Sequence, residues 1–181
     1  MASILAVCVV HALRADPGRV GVTAIDKRPV EGPVQVGTLG LRADVQADRA
    51  HHGGEQQAVY VYGQEDAEHW GRELGRELPP GWFGENLRIA GLDPNAARVG
   101  DRWHVGERLV LEVTGPRVPC ATFARWVGGE DERGWVRRFA AEGRVGAYLR
   151  VAHRGPVQAG DEVVVEPVGT DAPSVLEMLR G

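Results

Sequence analysis

The sequence predicts one mainly β domain, a barrel or a sandwich with a few short helices at its edge. Three observations lead there. Short runs rich in Val, Ile, Leu and Tyr follow one another at close spacing along most of the chain. The 25 glycines and 11 prolines punctuate those runs, as barrel corners and tight turns require. No repeat, low-complexity tract or linker divides the 181 residues, a length that suits one domain burying about two thirds of its unfolded-state surface.

Taken in chain order, ILAVCVV (4–10) reads as a first buried strand. It is too short to span a bilayer, no basic segment precedes it, and Asp16-Pro17-Gly18 ends it. A cytoplasmic protein without a membrane partner is therefore expected. VGVTAI (20–25), PVQVGTLGL (33–41) and AVYVY (58–62) read as further strands. QEDAEHWGRELGREL (64–78) predicts a helix, with acidic residues early and arginines late, as the macrodipole favours. The strands resume with ENLRIAGL (85–92), RWHVG (102–106) and LVLEVTG (109–115). CATFARWVG (120–128) suits a short helix behind Pro119. EDERGWVRRFAAEG (130–143) spaces Trp135 and Phe139 one turn apart and stops at Gly143. AYLRVAH (147–153) and DEVVVEPV (161–168) complete the strands, and SVLEMLR makes a last short helix. The expected division is one domain over 1–170 and a C-terminal helix or tail over 171–181.

Several chemistries are excluded. A net charge of −4 gives no domain-wide basic excess, so nucleic acid is not an expected partner. The two cysteines, Cys8 and Cys120, form neither a disulfide framework nor a CxxC metal pair, which points to a reducing compartment. Only Ser3 and Ser174 occur and neither sits in GxSxG, which removes the serine hydrolases. The one lysine, Lys27, ends no phosphate loop, and no two glycines stand two positions apart, so the dinucleotide fingerprint is absent. All other basic residues are arginines, which supply planar, bidentate cations.

Four stretches retain chemical interest, each with a plainer alternative. In DVQADRAHHGGEQQAVYVY (44–62), Asp44 and His52 precede Gly53-Gly54, where bare backbone can approach a ligand or simply turn a hairpin. In GWFGENLRIAGL (81–92), Glu85 and Asn86 either meet a ligand or cap a neighbouring loop. In IDKRPV (25–30), Lys27 and Arg28 suit a phosphate or make a solvated pair. In GPRVPCATF (115–123), Cys120 is either an inert packed residue or a thiolate held in a fixed direction by Pro116 and Pro119, with Arg117 as the nearby cation.

In succession, KRPV, GLRADVQADRAHHGG, FGENL, VGDRW and PRVPC resemble the MOSC domain, named for the C-terminal domain of molybdenum-cofactor sulfurases. The likeness runs on through GWVRRFAAEGRVGAYLRVAHRGPVQAGDEVVVEPV and covers roughly residues 3–168. It is nearest to the small stand-alone bacterial members, associated with N-hydroxylated bases and related to amidoxime-reducing enzymes. The resemblance implies a closed β-barrel of the MOSC type with peripheral α-helices. It implies the molybdenum cofactor (molybdopterin) as ligand and Cys120 as the molybdenum thiolate or the carrier of activated sulfur. It makes Lys27, Arg28, Gly53, Gly54, Asn86 and Arg117 cofactor-binding candidates, with His52 and Asp44 as catalytic proton donors. The implied activity is reduction of a small N-hydroxylated substrate, N–OH to N–H, with electrons from separate electron-transfer proteins. The alternative is a carrier holding the cofactor, or a persulfide on Cys120, without turnover. Nothing in the sequence selects an oligomeric state. The family has glycine before the first-loop aspartate where this chain has Ala43, a departure that bears on the backbone shape there.

Overall fold

The computed structural model describes residues 1–18, 20–47, 53–128 and 134–181. Seven strands close into a barrel. They are β1 (Ala2–Ala15), β5 (Val59–Gly63), β6 (Leu87–Ala90), β7 (Arg102–Val105), β8 (Leu109–Pro116), β9 (Ala147–His153) and β11 (Glu162–Glu166). The order around the wall is β11-β7-β8-β9-β5-β6-β1, and pairing of β1 with β11 shuts it. All neighbours are antiparallel except β5 and β6. That parallel pair needs a crossover, which α1 (Gln64–Leu74) supplies.

The first strand has two jobs. Its first half, up to Val7, pairs with β6 in the barrel. Beyond Cys8 it leaves the barrel and pairs with β2 (Val22–Pro29) as a two-stranded arm, with irregularities between Val10 and Ala12 and between Ala12 and Arg14. The stretch PVQVGTLGL, expected as one strand, folds instead as a hairpin of β3 (Val34–Gly37) and β4 (Gly40–Leu41). A short strand not expected from the sequence, β10 (Gly155–Val157), adds to β3. Val36, Leu41 and Val157 from this small sheet join the barrel core.

Alternation along the wall creates two cores rather than one. In VYVYG, Val59 and Val61 point into the barrel with Leu111, Val113, Ala147 and Leu149. Tyr60 and Tyr62 point outward and meet Phe83 of the loop before β6 and, through Trp70, Phe123 and Phe139, α1, α2 (Ala121–Gly128) and α3 (Trp135–Glu142). Phe83 stacks on Tyr62 with ring centroids 4.0 Å apart, and Phe123 tilts against Phe139 at 4.5 Å.

Helix ends follow the sequence with two exceptions, one being α3, read over 130–143, which starts at Trp135 behind Gly134. Gly143 closes α3 in the left-handed conformation, as expected. Helix α1, expected to reach residue 78, ends at Leu74 because Gly75 already adopts the left-handed cap (φ 63). The last helix, α4 (Val175–Arg180), opens with a capping box between Ser174 and Glu177. It is no detached tail. Val175 is fully buried in the barrel core, and its amide donates to Ala97.

Candidate functional site

A cavity of about 270 Å³ opens on the outer side of the barrel wall, between the β1–β2 arm and the start of α2. Lys27, Asp44, Asn86, Arg117 and Cys120 all line it. Four of the sequence stretches above thus converge on one place.

Asp44 is the knot that ties two of them. One carboxylate oxygen accepts from the Val10 amide at 2.9 Å. The other accepts from Lys27 Nζ and, at 2.7 Å, from Asn86 Nδ2. Asn86 also donates to the Cys8 carbonyl at 3.3 Å and accepts from the Tyr60 amide at 3.1 Å. These three polar side chains therefore satisfy one another while fixing β1, β2 and β6 in register. Asp44, expected as a proton donor, has both oxygens engaged as acceptors.

Glu85 follows its plainer alternative. It is fully buried and accepts from the amides of Gly81 (2.8 Å) and Phe83 (3.0 Å), moulding the loop ahead of β6. Its charge is met by the equally buried Arg88, whose Nε and Nη2 lie 2.9 and 2.5 Å from Oε1. A side chain at Gly81 would run into the carbonyl of Lys27, so this loop packs directly on the strand that carries the lysine.

Cys120 stands just before α2, and its carbonyl accepts the first helical bond, from the Ala124 amide at 3.0 Å. The thiol is half-buried. Two contacts aim the helix. Trp126 Nε1 donates to the Trp82 carbonyl at 2.8 Å. Asp16, at the tip of the arm, accepts from Arg125 Nε (3.0 Å) and Nη2 (2.7 Å), from Thr122 Oγ1 (3.1 Å) and from the Gly18 amide (3.0 Å). Burial pushes the Asp16 carboxyl up, but the bonds from Arg125, Gly18 and Thr122 outweigh it and hold it below its usual range.

Arg117 is 6% exposed and lies 4.3 Å over the Phe123 ring. Among the described residues its guanidinium meets no carboxylate and makes one hydrogen bond, from Nη1 to the Val118 carbonyl at 3.4 Å. A buried cation beside a cavity with so little to balance it is set for an anion. The second cysteine behaves oppositely. Cys8 is fully buried, and burial, aided by Glu85, pushes its thiol up to about 12. It is packing.

Three expected site residues lie apart from this cavity. Arg28 follows Lys27 on a strand and so projects to the other face, where it is exposed and sits 3.6 Å from Asp26. Gly53 and Gly54 lead into a turn of 3-10 helix (Glu55–Gln57) and do not line the cavity; the Gly54 amide donates to Gln46 Oε1 at 2.9 Å. His52 lies outside the described residues. The sequence reading missed Asp16, Tyr60 and Tyr148, all cavity-lining. The outward positions of AVYVY and AYLRVAH carried a signal, since aromatic residues on the solvent side of a barrel strand need a partner layer.

Among the described residues no group of three or more His, Cys, Asp or Glu stands ready to hold a bare metal ion. No helix among them is long and apolar enough to cross a membrane.

Comparison with known proteins agrees with this architecture. The uncharacterized protein YflK of Bacillus subtilis is 36% identical over 138 residues, covering 76% of this chain and 61% of its own length. A protein named Reductase from Gibberella moniliformis is 29% identical over 163 residues, covering 85% of this chain and 28% of that protein. The chain thus spans less than two thirds of these relatives. The crystal structure of YiiM from Geobacillus stearothermophilus superposes with a TM-score of 0.78 at 27% identity, covering 99% of this chain and 83% of that one. The model of the MOSC domain matches residues 48–164, well over half of the sequence, and the chain belongs to the MOSC domain family.

Proposed function

We propose that the cavity holds the molybdenum cofactor and that the protein reduces small N-hydroxylated compounds to the corresponding amines. One observation carries the reading: a half-buried thiol and a buried guanidinium, which meets no carboxylate among the described residues, share one cavity. The donor set suits that ligand. A thiolate is a fitting ligand for a soft metal centre, and Arg117 is a fitting partner for a phosphate. With no multi-residue metal cluster among the described residues, Cys120 would serve as the single protein ligand to a metal that arrives with its own organic group. When bound, the cofactor supplies a two-electron redox centre. The protein's own contribution is to aim the sulfur, through the Asp16 and Trp82 contacts to α2, and to balance the anion with Arg117.

Each turnover takes two electrons and two protons for one N–O bond and releases water. The electrons come from an electron-transfer partner outside these residues, which hold two cysteines and no flavin or dinucleotide motif. Membership of the MOSC family and a relative named Reductase support the reading. Both cysteines are free thiols, which fits a cytoplasmic, reducing compartment.

The test is elemental analysis of wild-type and Cys120→Ser protein purified from a host that makes the cofactor, followed by anaerobic reduction of an N-hydroxylated base with an artificial electron donor. Molybdenum in the wild type, its loss in the serine variant and turnover by the loaded protein are expected. Wild-type protein free of molybdenum would overturn the cofactor assignment. Loading without turnover would make the protein a carrier.

A further inference from the structure

The polar groups around the cavity divide into those already spoken for and those left open. Asp44 and Asn86 are engaged by each other, by Lys27 and by the backbone. Thr122 is held by Asp16, and Gln46 by the Leu39 carbonyl and the Gly54 amide. Among the described residues, the side chains with capacity toward a ligand include Arg117, the Cys120 sulfur, the Lys27 ammonium, the Gln57 carbonyl oxygen and one phenol.

That phenol is Tyr148. The chain has three tyrosines, and they gather on the outer face of the wall. Tyr60 donates its hydroxyl to the Val145 carbonyl at 2.8 Å, and Tyr62 to the Arg144 carbonyl at 2.7 Å. Tyr148 packs its ring 5.4 Å from that of Tyr60 yet remains half-buried and lines the cavity. Among the described residues nothing receives its hydroxyl. Its position is set by the sheet: Tyr148 stands opposite Gly115 on β8, and the Arg117 amide donates to the Gly146 carbonyl at 3.3 Å. The strand pairing therefore places Tyr148 beside the segment that runs to Cys120.

We infer that Tyr148 is the specificity-determining residue of the cavity, its hydroxyl donating a hydrogen bond to the oxygen of a ligand's N–OH group. The inference rests on the substrate class proposed above and adds to it the residue that recognises the oxygen. Burial keeps the phenol protonated against the opposing pull of Arg117, and the Cys120 charge acts in the same sense as burial, so a donor is what the cavity presents. The oxygen of an N–OH group has lone pairs to accept that bond. An amino group conjugated with a ring is a poor acceptor, so the reduced product loses the contact and leaves more easily.

The experiment compares wild-type and Tyr148→Phe protein, purified from a cofactor-competent host, by calorimetric titration with N4-hydroxycytosine and with cytosine, without reductant. The wild type should prefer the hydroxylated base by about tenfold, the worth of one good hydrogen bond. The phenylalanine variant should lose that preference while keeping its affinity for cytosine, its melting temperature and its molybdenum content. Preference retained in the variant overturns the assignment of Tyr148, and so does an equal loss for both bases. If the wild type reduces N4-hydroxycytosine while the variant keeps the preference, Tyr148 alone falls. If the wild type binds neither base and reduces no N-hydroxylated compound, the substrate class falls and the inference falls with it.

Discussion

Ala43 is the only non-glycine among the described residues with a positive φ, at 73°. An alanine there sets its methyl against the following carbonyl, a cost of roughly 1–2 kcal/mol. The loop accepts it because the next residue, Asp44, is pinned by Val10, Lys27 and Asn86. A glycine at the position would relieve the strain, less the extra freedom glycine gains when unfolded. Ala43→Gly is expected to raise unfolding stability by about 0.5–1 kcal/mol in urea titration, with an unchanged slope. A loss of stability would mean that the methyl makes a contact worth more than the strain.

The residue scale also shows what the sequence made legible in the site. Lys27 and Cys120 were readable because no other residue of their kind offered the same context. Arg28 was misplaced beside Lys27 because neighbours in a string of letters are opposites on a strand. Glu85 could be assigned to its loop only once the Gly81 and Phe83 amides were seen to converge on it.

At the scale of elements, the arm and α2 form a clasp around Asp16. This carboxylate joins residues more than a hundred positions apart and sits two residues from the cavity-lining Gly18. Nothing in Asp16-Pro17-Gly18 beyond a turn was readable, because its partners lie on a distant helix. Asp16→Ala should cost about 1–2 kcal/mol, since Arg125 is partly solvated and its pairing is screened. It should also speed alkylation of Cys120 severalfold, because the helix that aims the sulfur loses its tether; an unchanged rate would show that Trp126 and Trp82 hold α2 unaided. The pH dependence has a definite sign. A depressed folded-state carboxyl contributes stability above its unfolded value and loses it as pH falls through the folded one. Wild-type and Asp16→Asn proteins should therefore differ by a constant amount from pH 5 to 8, and their melting temperatures should converge as the solution becomes strongly acid.

The strand pattern itself was readable from Val, Ile and Tyr enrichment, and the closed barrel followed from the family resemblance. Pairing was not readable, since alternation reports which residues share a face and says nothing of which strand lies alongside. The tyrosines on β5 signalled a partner layer on their outer face, but not that α1, α2 and α3 supply it.

For the molecule as a whole, α4 behaves as part of the barrel. Val175 is fully buried among barrel residues, and the Leu176 amide donates to Asn95, which in turn accepts from Val145 and Gly146. Val175→Ala should cost about 2 kcal/mol through the void it leaves, and unfolding should stay a single cooperative transition. A separate early transition would instead show the C-terminal helix melting on its own.

The contact that shuts the barrel pairs Ala2 with Val163 and Ser3 with Glu162. During synthesis the first strand leaves the ribosome and then waits for almost the entire chain before its last neighbour exists. At translation speeds of about 5–20 residues per second, the nascent protein spends on the order of ten seconds with an unzipped edge. Until then β1 has β2 and later β6 for company, but one flank stays open to any other extended chain. Newly made protein therefore has a period of exposure to aggregation, and to chaperone capture, set by the distance along the chain between the two strands that meet last.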